Sequence, residues 1–414
     1  MSPAGPAAAS GDSGGDSGGD SGGDSATESA TAQWFRHFGT VDAPGSSPCY
    51  AAWAVGIAGD AELIRRIDQW PHNKRQPLLI LAAARFLGAQ VSPYGDFRTF
   101  LDDQWAEVSE IVLSRSTQTN EAGRCATLLP SLAQISAVEG RPLALIEVGA
   151  SAGLALFPDH YGYEFVGARA EGCAAKDATD GAAGDAADGG AAEDAGGGGA
   201  ADGAGGGGAA DADPAEASEP QTTRLVPAGA TPGTFPVLRC VTSGPVPLPA
   251  EIARVAWRAG IDLNPLDVRN PDDVAWLEAL VWPEQEFRLE RLRQAIAIAQ
   301  ERPPLLVAGD LNEQLVELVG RAPADAALVV FHSAVMGYLD AGGRSRFRRT
   351  MADLAAERGC HWLSNEGHTV IAQADGSNVV PEMDDARLRG RFLLLQDGQP
   401  AAITGPHGQS LEWL

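Results

Sequence analysis

The chain predicts an α/β protein, with a mostly parallel sheet finished by an antiparallel hairpin and preceded by a helical N-terminal region. Three observations carry this reading. From Leu143 onward, short apolar runs alternate with helical patterns, which implies parallel strands with covered faces and right-handed crossovers. The stretch Leu145-Ile-Glu-Val-Gly-Ala-Ser-Ala-Gly-Leu154 reads as a buried strand running into a glycine turn. Gly149 and Gly153 carry no Cβ there, so backbone N–H groups can approach a ligand. Near the C-terminus, Asp397-Gly398 lies between two apolar runs, a hairpin signal.

Residues 33–142 read as helical. Ser47-Pro48 is a cap followed by proline at the first helical position, and Asp60 caps the segment that follows it. Pro77 to Leu87 is apolar enough for a buried helix. Phe97 to Ser114 places Phe97, Phe100, Leu101, Trp105, Val108, Ile111 and Val112 at three- and four-residue steps, an amphipathic helix. Thr119 to Val138 reads as another, ending near Gly140. The strand runs are Leu143–Val148, Arg258–Leu263, Leu305–Ala308, Ala327–Phe331 and His361–Leu363. Helical patterns at Asp272–Gln300, Asn312–Val319 and Arg344–Arg358 separate the later ones. Between Tyr161 and Trp257 the simple pattern fails; a Pro- and Val-rich stretch with strand-like pieces such as Pro236–Val241 reads as a lobe inserted between the first two core strands.

Two segments lack the apolar content to offset their conformational entropy and are expected to be disordered: residues 1–30, repeats of Gly-Asp-Ser-Gly, and residues 173–221, nearly all Ala, Gly and Asp. The layout is therefore an acidic tail over 1–32, a helical cap region over 33–142, and an α/β domain over 143–414 interrupted at 173–221. The two low-complexity segments carry −5 and −10 of the net charge of −25, which leaves an acidic body without a basic stripe. That argues against nucleic acid as a partner. Five scattered cysteines with no Cys-x-x-Cys pair suit a reduced cytoplasm. No secretory signal and no membrane-spanning run is read, so a cytoplasmic location is expected; the oligomeric state is not legible.

In an open parallel sheet, ligands sit beyond the carboxyl ends of the strands. That edge carries Glu147 before the glycine turn, then Asp262, Asp310, His332 and Glu366, each where an apolar strand stops. Asp262 reads either as a ribose-diol acceptor or as the cap of the next turn. Asp310 reads as a partner for an adenine amino group or as a helix cap. Glu147 reads as an acceptor for an amino group or as an acid satisfied by its own loop. His332 is the candidate general base, set against a histidine that is merely hydrogen-bonded. A metal shared by Asp310, His332 and Glu366 has no supporting ligand spacing, and no metal is expected. Asn120, Glu121 and Arg124 stand at a predicted helix start. They read as capping residues or as groups covering a cofactor or acceptor, with Arg124 binding an anion. Trp282 reads as core.

Taken together, Gln118-Thr-Asn-Glu-x-Gly-Arg124, Glu147-Val-Gly-Ala-Ser-Ala-Gly-Leu154, Gly260-Ile-Asp-Leu-Asn-Pro-Leu-Asp267, Leu280-Val-Trp-Pro-Glu-Gln285, Val330-Phe-His-Ser333 and Pro406-His-Gly408 resemble an uncharacterised bacterial family known only as a domain of unknown function. The glycine turn is similar to the Asp/Glu-x-Gly-x-Gly-x-Gly loop of class I S-adenosylmethionine (SAM) methyltransferases, with Ser151 at the middle glycine. That likeness implies a Rossmann-like, class I methyltransferase-type sheet. Glu147, Gly149, Ser151, Gly153, Asp262 and Asp310 would hold SAM, His332 would be the base, and Asn120, Glu121, Arg124 and Glu366 would meet a small-molecule acceptor. No Asn/Asp-Pro-Pro-Tyr motif follows the fourth strand, so methylation of nucleic-acid bases is not implied. Two other readings stand beside it: a nicotinamide enzyme, whose Gly-x-Gly-x-x-Gly fingerprint would need glycine at 151 and 154, and a non-catalytic module that keeps the fold.

Overall fold

A computed structural model describes residues 28–118, 120–168, 221–373 and 385–414. The disorder expected over 1–30 and 173–221 falls outside these ranges, apart from residues 28–30 and 221 at their edges.

The N-terminal region is helical, as its patterning requires. Ser29 caps α1 (Ala30–His37), which begins ahead of the boundary read at residue 33. Ser47 caps α2 (Pro48–Gly59), with Pro48 at its first position. The Asp60 carboxylate accepts from the N–H groups of Glu62 and Leu63 to start α3 (Ala61–Ile67). The apolar α4 (Pro77–Phe86) is buried. The single helix expected over 97–114 is two, α5 (Tyr94–Asp103) and α6 (Trp105–Ser114), broken at Gln104. The break turns the apolar stripe, so that Phe97 stacks on Trp53 with ring centroids 3.7 Å apart while Trp105 stacks on Trp70 at 5.0 Å. The helix expected from Thr119, a residue outside the described ranges, starts later. A 3₁₀ turn at Ala122–Arg124 leads into α7 (Cys125–Glu139), which ends at left-handed Gly140.

The strands that follow are β1 (Leu143–Val148), β2 (Gly162–Gly167), β3 (Thr222–Leu225), β4 (Val237–Ser243) and β5 (Val255–Asp262). Where one helix was expected over 272–300, Trp282-Pro283 separates α8 (Pro271–Leu280) from α9 (Glu286–Glu301), because proline drives the residue before it out of the helical region. Then come β6 (Leu305–Ala308), α10 (Leu311–Gly320), β7 (Ala327–Ser333), α11 (Ala341–Arg358) and β8 (His361–Gly367). The chain closes with α12 (His368–Gln373), α13 (Asp385–Leu388), β9 (Phe392–Gln396), β10 (Gln399–Thr404) and β11 (Ser410–Trp413). Asp397 and Gly398 both take positive φ, 51° and 78°, in the β9–β10 hairpin, as a two-residue hairpin turn demands.

All of these strands form one eleven-stranded, mostly parallel mixed sheet in the order β3-β2-β4-β11-β10-β9-β8-β7-β1-β5-β6. Its parallel core, β6-β5-β1-β7-β8, has the doubly wound order 3-2-1-4-5 when core strands are counted along the chain. The lobe read between the first two core strands is not a separate body, because β2 and β4 extend the same sheet beyond β11. The pleat divides the side chains between two apolar layers. Leu143, Leu145, Val329 and Phe331 join the layer under the N-terminal helices and α7, while Ala144, Ile146, Val148, Leu328 and Val330 face α10 and α11. Among the described residues no helix is long and apolar enough to cross a membrane.

Candidate functional site

The core order reverses at β1, whose neighbours are β5 and β7, and such a switch point opens a crevice at the carboxyl ends of the strands. The glycine turn leaves β1 here. Gly149, Ser151 and Gly153 all take left-handed backbone, with φ of 72°, 48° and 72°. Ser151 thus adopts the conformation that glycine adopts without strain. A Cβ on Gly149 would collide with Val335 in the turn after β7.

Asp262 ends β5 beside this turn. Its carboxylate accepts from Ser151 N at 2.8 Å and from Asn264 N at 2.8 Å, so it caps two turns together. Asp310, beyond the neighbouring β6, accepts from Asn312 N at 2.7 Å and caps α10. Gly149, Asp262 and Asp310 therefore follow three adjacent strands, as the sequence predicts. Two side chains of the helical region enter the space beside the glycine turn. Asn120 reaches in: its Nδ2 donates to Ser151 Oγ, and its Oδ1 accepts from the N–H groups of Ala152 at 3.3 Å and Leu154 at 3.4 Å. Gln118 Nε2 donates to Asn264 O at 2.6 Å and to Asp262 Oδ1 at 3.5 Å. A cavity of about 10 Å³ remains on the β1–β7 side, bounded by Asn120, Arg124, Glu147 and Ser333 among others. That is room for about one water.

Glu147 opens onto this cavity, and its buried Oε2 has no hydrogen-bond partner among the described residues. Burial pushes its carboxyl well above the ordinary value; the Arg124 guanidinium opposes the shift and the Asp262 charge adds to it. Arg124, itself buried, donates to Pro406 O at 2.8 Å and Ser333 O at 3.1 Å.

Glu121 forms a buried node that sequence reasoning did not anticipate. Its carboxylate accepts from Gly123 N and Arg288 Nε, each at 2.9 Å, and Arg291 Nη2 also lies 2.9 Å away. His407 Nδ1 is 3.8 Å off. Burial alone would raise the Glu121 carboxyl, but Arg291, Arg288, His407 and the Gly123 N–H outweigh it and hold the group well below the usual carboxylate range. Burial, aided by the Arg288 guanidinium, pushes His407 down to about 3 against the attraction of Glu121. The available signals were only the separate polar clusters at 118–124, 282–285 and 406–408; nothing local linked them.

His332 and Glu366 come together elsewhere. His332 pairs in register with Val148, so its side chain shares the α11 face and lies on the opposite side of the sheet from Glu147. Fully buried, it packs against Phe347 and Trp362. Its Nδ1 lies 2.6 Å from Glu366 Oε1, which also accepts from Val335 N at 2.9 Å. The pair holds the turn after β7, where Ala334 is left-handed with φ 59° and Val335 abuts Gly149. The structure thus gathers Asn120, Glu147, Gly149, Ser151, Gly153 and Asp262 at one rim. Asp310 stands two strands from β1, and His332 and Glu366 lie behind the sheet.

Comparison with known families agrees with the sequence motifs. Residues 32–413 match the family described as "Uncharacterized protein conserved in bacteria (DUF2332)", and the chain belongs to that family. No curated protein and no solved structure matches it.

Proposed function

We propose that the chain is a SAM-dependent methyltransferase acting on a small molecule, with its cofactor held at the β1–β5 rim. The observation that carries this reading is the glycine turn: three left-handed residues after the first core strand, tied to an acid at the end of the second. Ser151, which stands in place of the middle glycine of the methyltransferase loop, takes left-handed backbone with φ 48°.

The residues present suit the chemistry of that cofactor. Asp262 offers carboxylate oxygens to a ribose diol. The N–H groups of Ala152 and Leu154 converge on one acceptor, as a backbone nest does for a carboxylate. The partnerless Oε2 of Glu147 is an acceptor for an ammonium group. When bound, the sulfonium supplies an already activated methyl group, so the protein's own task is alignment and exclusion of water. His332 has a positioning role in this arrangement, fixing through Glu366 the turn that carries Val335. One observation favours a second reading, a non-catalytic module: the Asn120 and Gln118 side chains already hydrogen-bond to the turn and to Asp262.

Calorimetric titration of the full chain with S-adenosylhomocysteine (SAH), SAM and NAD(P) separates these readings. The methyltransferase reading expects saturable one-to-one binding of SAH and SAM, weakened at least about tenfold by Asp262→Ala, with thermal unfolding used to verify that the variant is folded. Heats from NAD(P) alone would transfer the site to nicotinamide chemistry, and silence with every ligand would leave the module.

A further inference from the structure

The glycine turn already holds a ligand, and that ligand is a side chain of the same protein. Asn120 makes three contacts with it: one to the Ser151 hydroxyl and two, at 3.3 and 3.4 Å, from the Ala152 and Leu154 N–H groups. The latter two are long for N–H···O bonds, whose usual distance is about 2.9–3.0 Å, and the acceptor is a neutral carboxamide. A carboxylate oxygen in the same place would make shorter, charge-assisted bonds of roughly twice the strength. Asn120 is therefore a weak occupant of a position suited to an anion.

Its neighbour is anchored firmly. Glu121 is buried against Arg288, Arg291 and the Gly123 N–H. On the other side, the preceding segment is pinned by Ser116 O, which accepts from Trp276 Nε1 at 3.2 Å, and by Thr117 Oγ1, which donates to Gln76 Oε1 at 2.9 Å. Contacts at residues 116–117 and at 121 thus bracket the stand-in and hold it at the turn.

We infer that Asn120 is an intramolecular competitor for the cofactor: its carboxamide occupies the glycine turn in the unliganded protein and must leave before the carboxylate of SAM or SAH can bind there. This rests on the methyltransferase reading and adds an autoinhibitory contact to it.

Two measurements test this. Calorimetry with SAH on wild type and Asn120→Ala is expected to show binding roughly fivefold to tenfold tighter in the variant, because the displaced contacts no longer compete. Hydrogen exchange is expected to be faster at the Ala152 and Leu154 amides in unliganded Asn120→Ala than in unliganded wild type, and to slow in both once SAH saturates the protein. Equal affinities, weaker binding by Asn120→Ala, or equal exchange at these amides in the two unliganded proteins would overturn the inference while leaving the cofactor reading intact. Failure of both proteins to bind SAH would remove the cofactor reading and this inference together.

Discussion

Glu147 shows how a single buried residue can carry a structural cost that depends on pH. Burial pushes its carboxyl well above the ordinary value, and its Oε2 has no hydrogen-bond partner among the described residues. The unfolded chain releases that proton near the usual 4.5, whereas the folded chain retains it to higher pH. The folded state then binds more protons, so this group's contribution to stability falls as pH rises above about 4.5. Glu147→Gln keeps the shape and removes the titration. The variant is expected to gain stability over wild type as pH climbs from 5 to 7, by on the order of 1 kcal/mol, measured by denaturant unfolding at each pH. A difference that is flat or reversed over that range would mean that Glu147 is ionised in the folded protein. Glu147, Gly149 and Asp262 were legible in the sequence because each sits where an apolar run stops. His332 was legible as a strand-end residue but its face was not, since the register that aligns it with Val148 is a property of pairing between distant strands. The Glu121 node was illegible for a similar reason: its bond to Arg288 spans 167 residues.

At the scale of elements, caps and turns were read well and breaks poorly. Ser47, Asp60 and the Asp397-Gly398 hairpin follow from chemistry confined to a few residues. The break at Gln104 has no proline or glycine to announce it; stacking of Trp105 on Trp70 is a tertiary contact that overrides a continuous helical pattern. The Pro406-His-Gly408 cluster is explained by packing. Gly408 has φ 80°, and a Cβ there would collide with the Gly123 carbonyl, just where the turn before β11 meets the turn before α7. Gly408→Ala is therefore expected to cost about 2 kcal/mol or more, seen as a lowered denaturation midpoint with an unchanged slope. A variant as stable as wild type would show that this close approach is not part of the folded state.

For the whole molecule, alternating periods made the parallel core and the terminal hairpin readable, and the strand order 3-2-1-4-5 agrees with them. The reach of the sheet was not readable. β2, β4 and β11 join it through pairings between remote segments, and short strands of four to seven residues leave little periodicity to detect. The same assembly brings the helical region's Asn120 onto the glycine turn, so the N-terminal helices and the α/β core act as one unit at the rim. The most direct measurement is native mass spectrometry of the full chain sprayed with excess SAH and NAD(P). A one-to-one SAH adduct, competed by SAM and absent from a folded Asp262→Ala variant, is expected. A bare chain under excess SAH, or an adduct with the dinucleotide in its place, would contradict it.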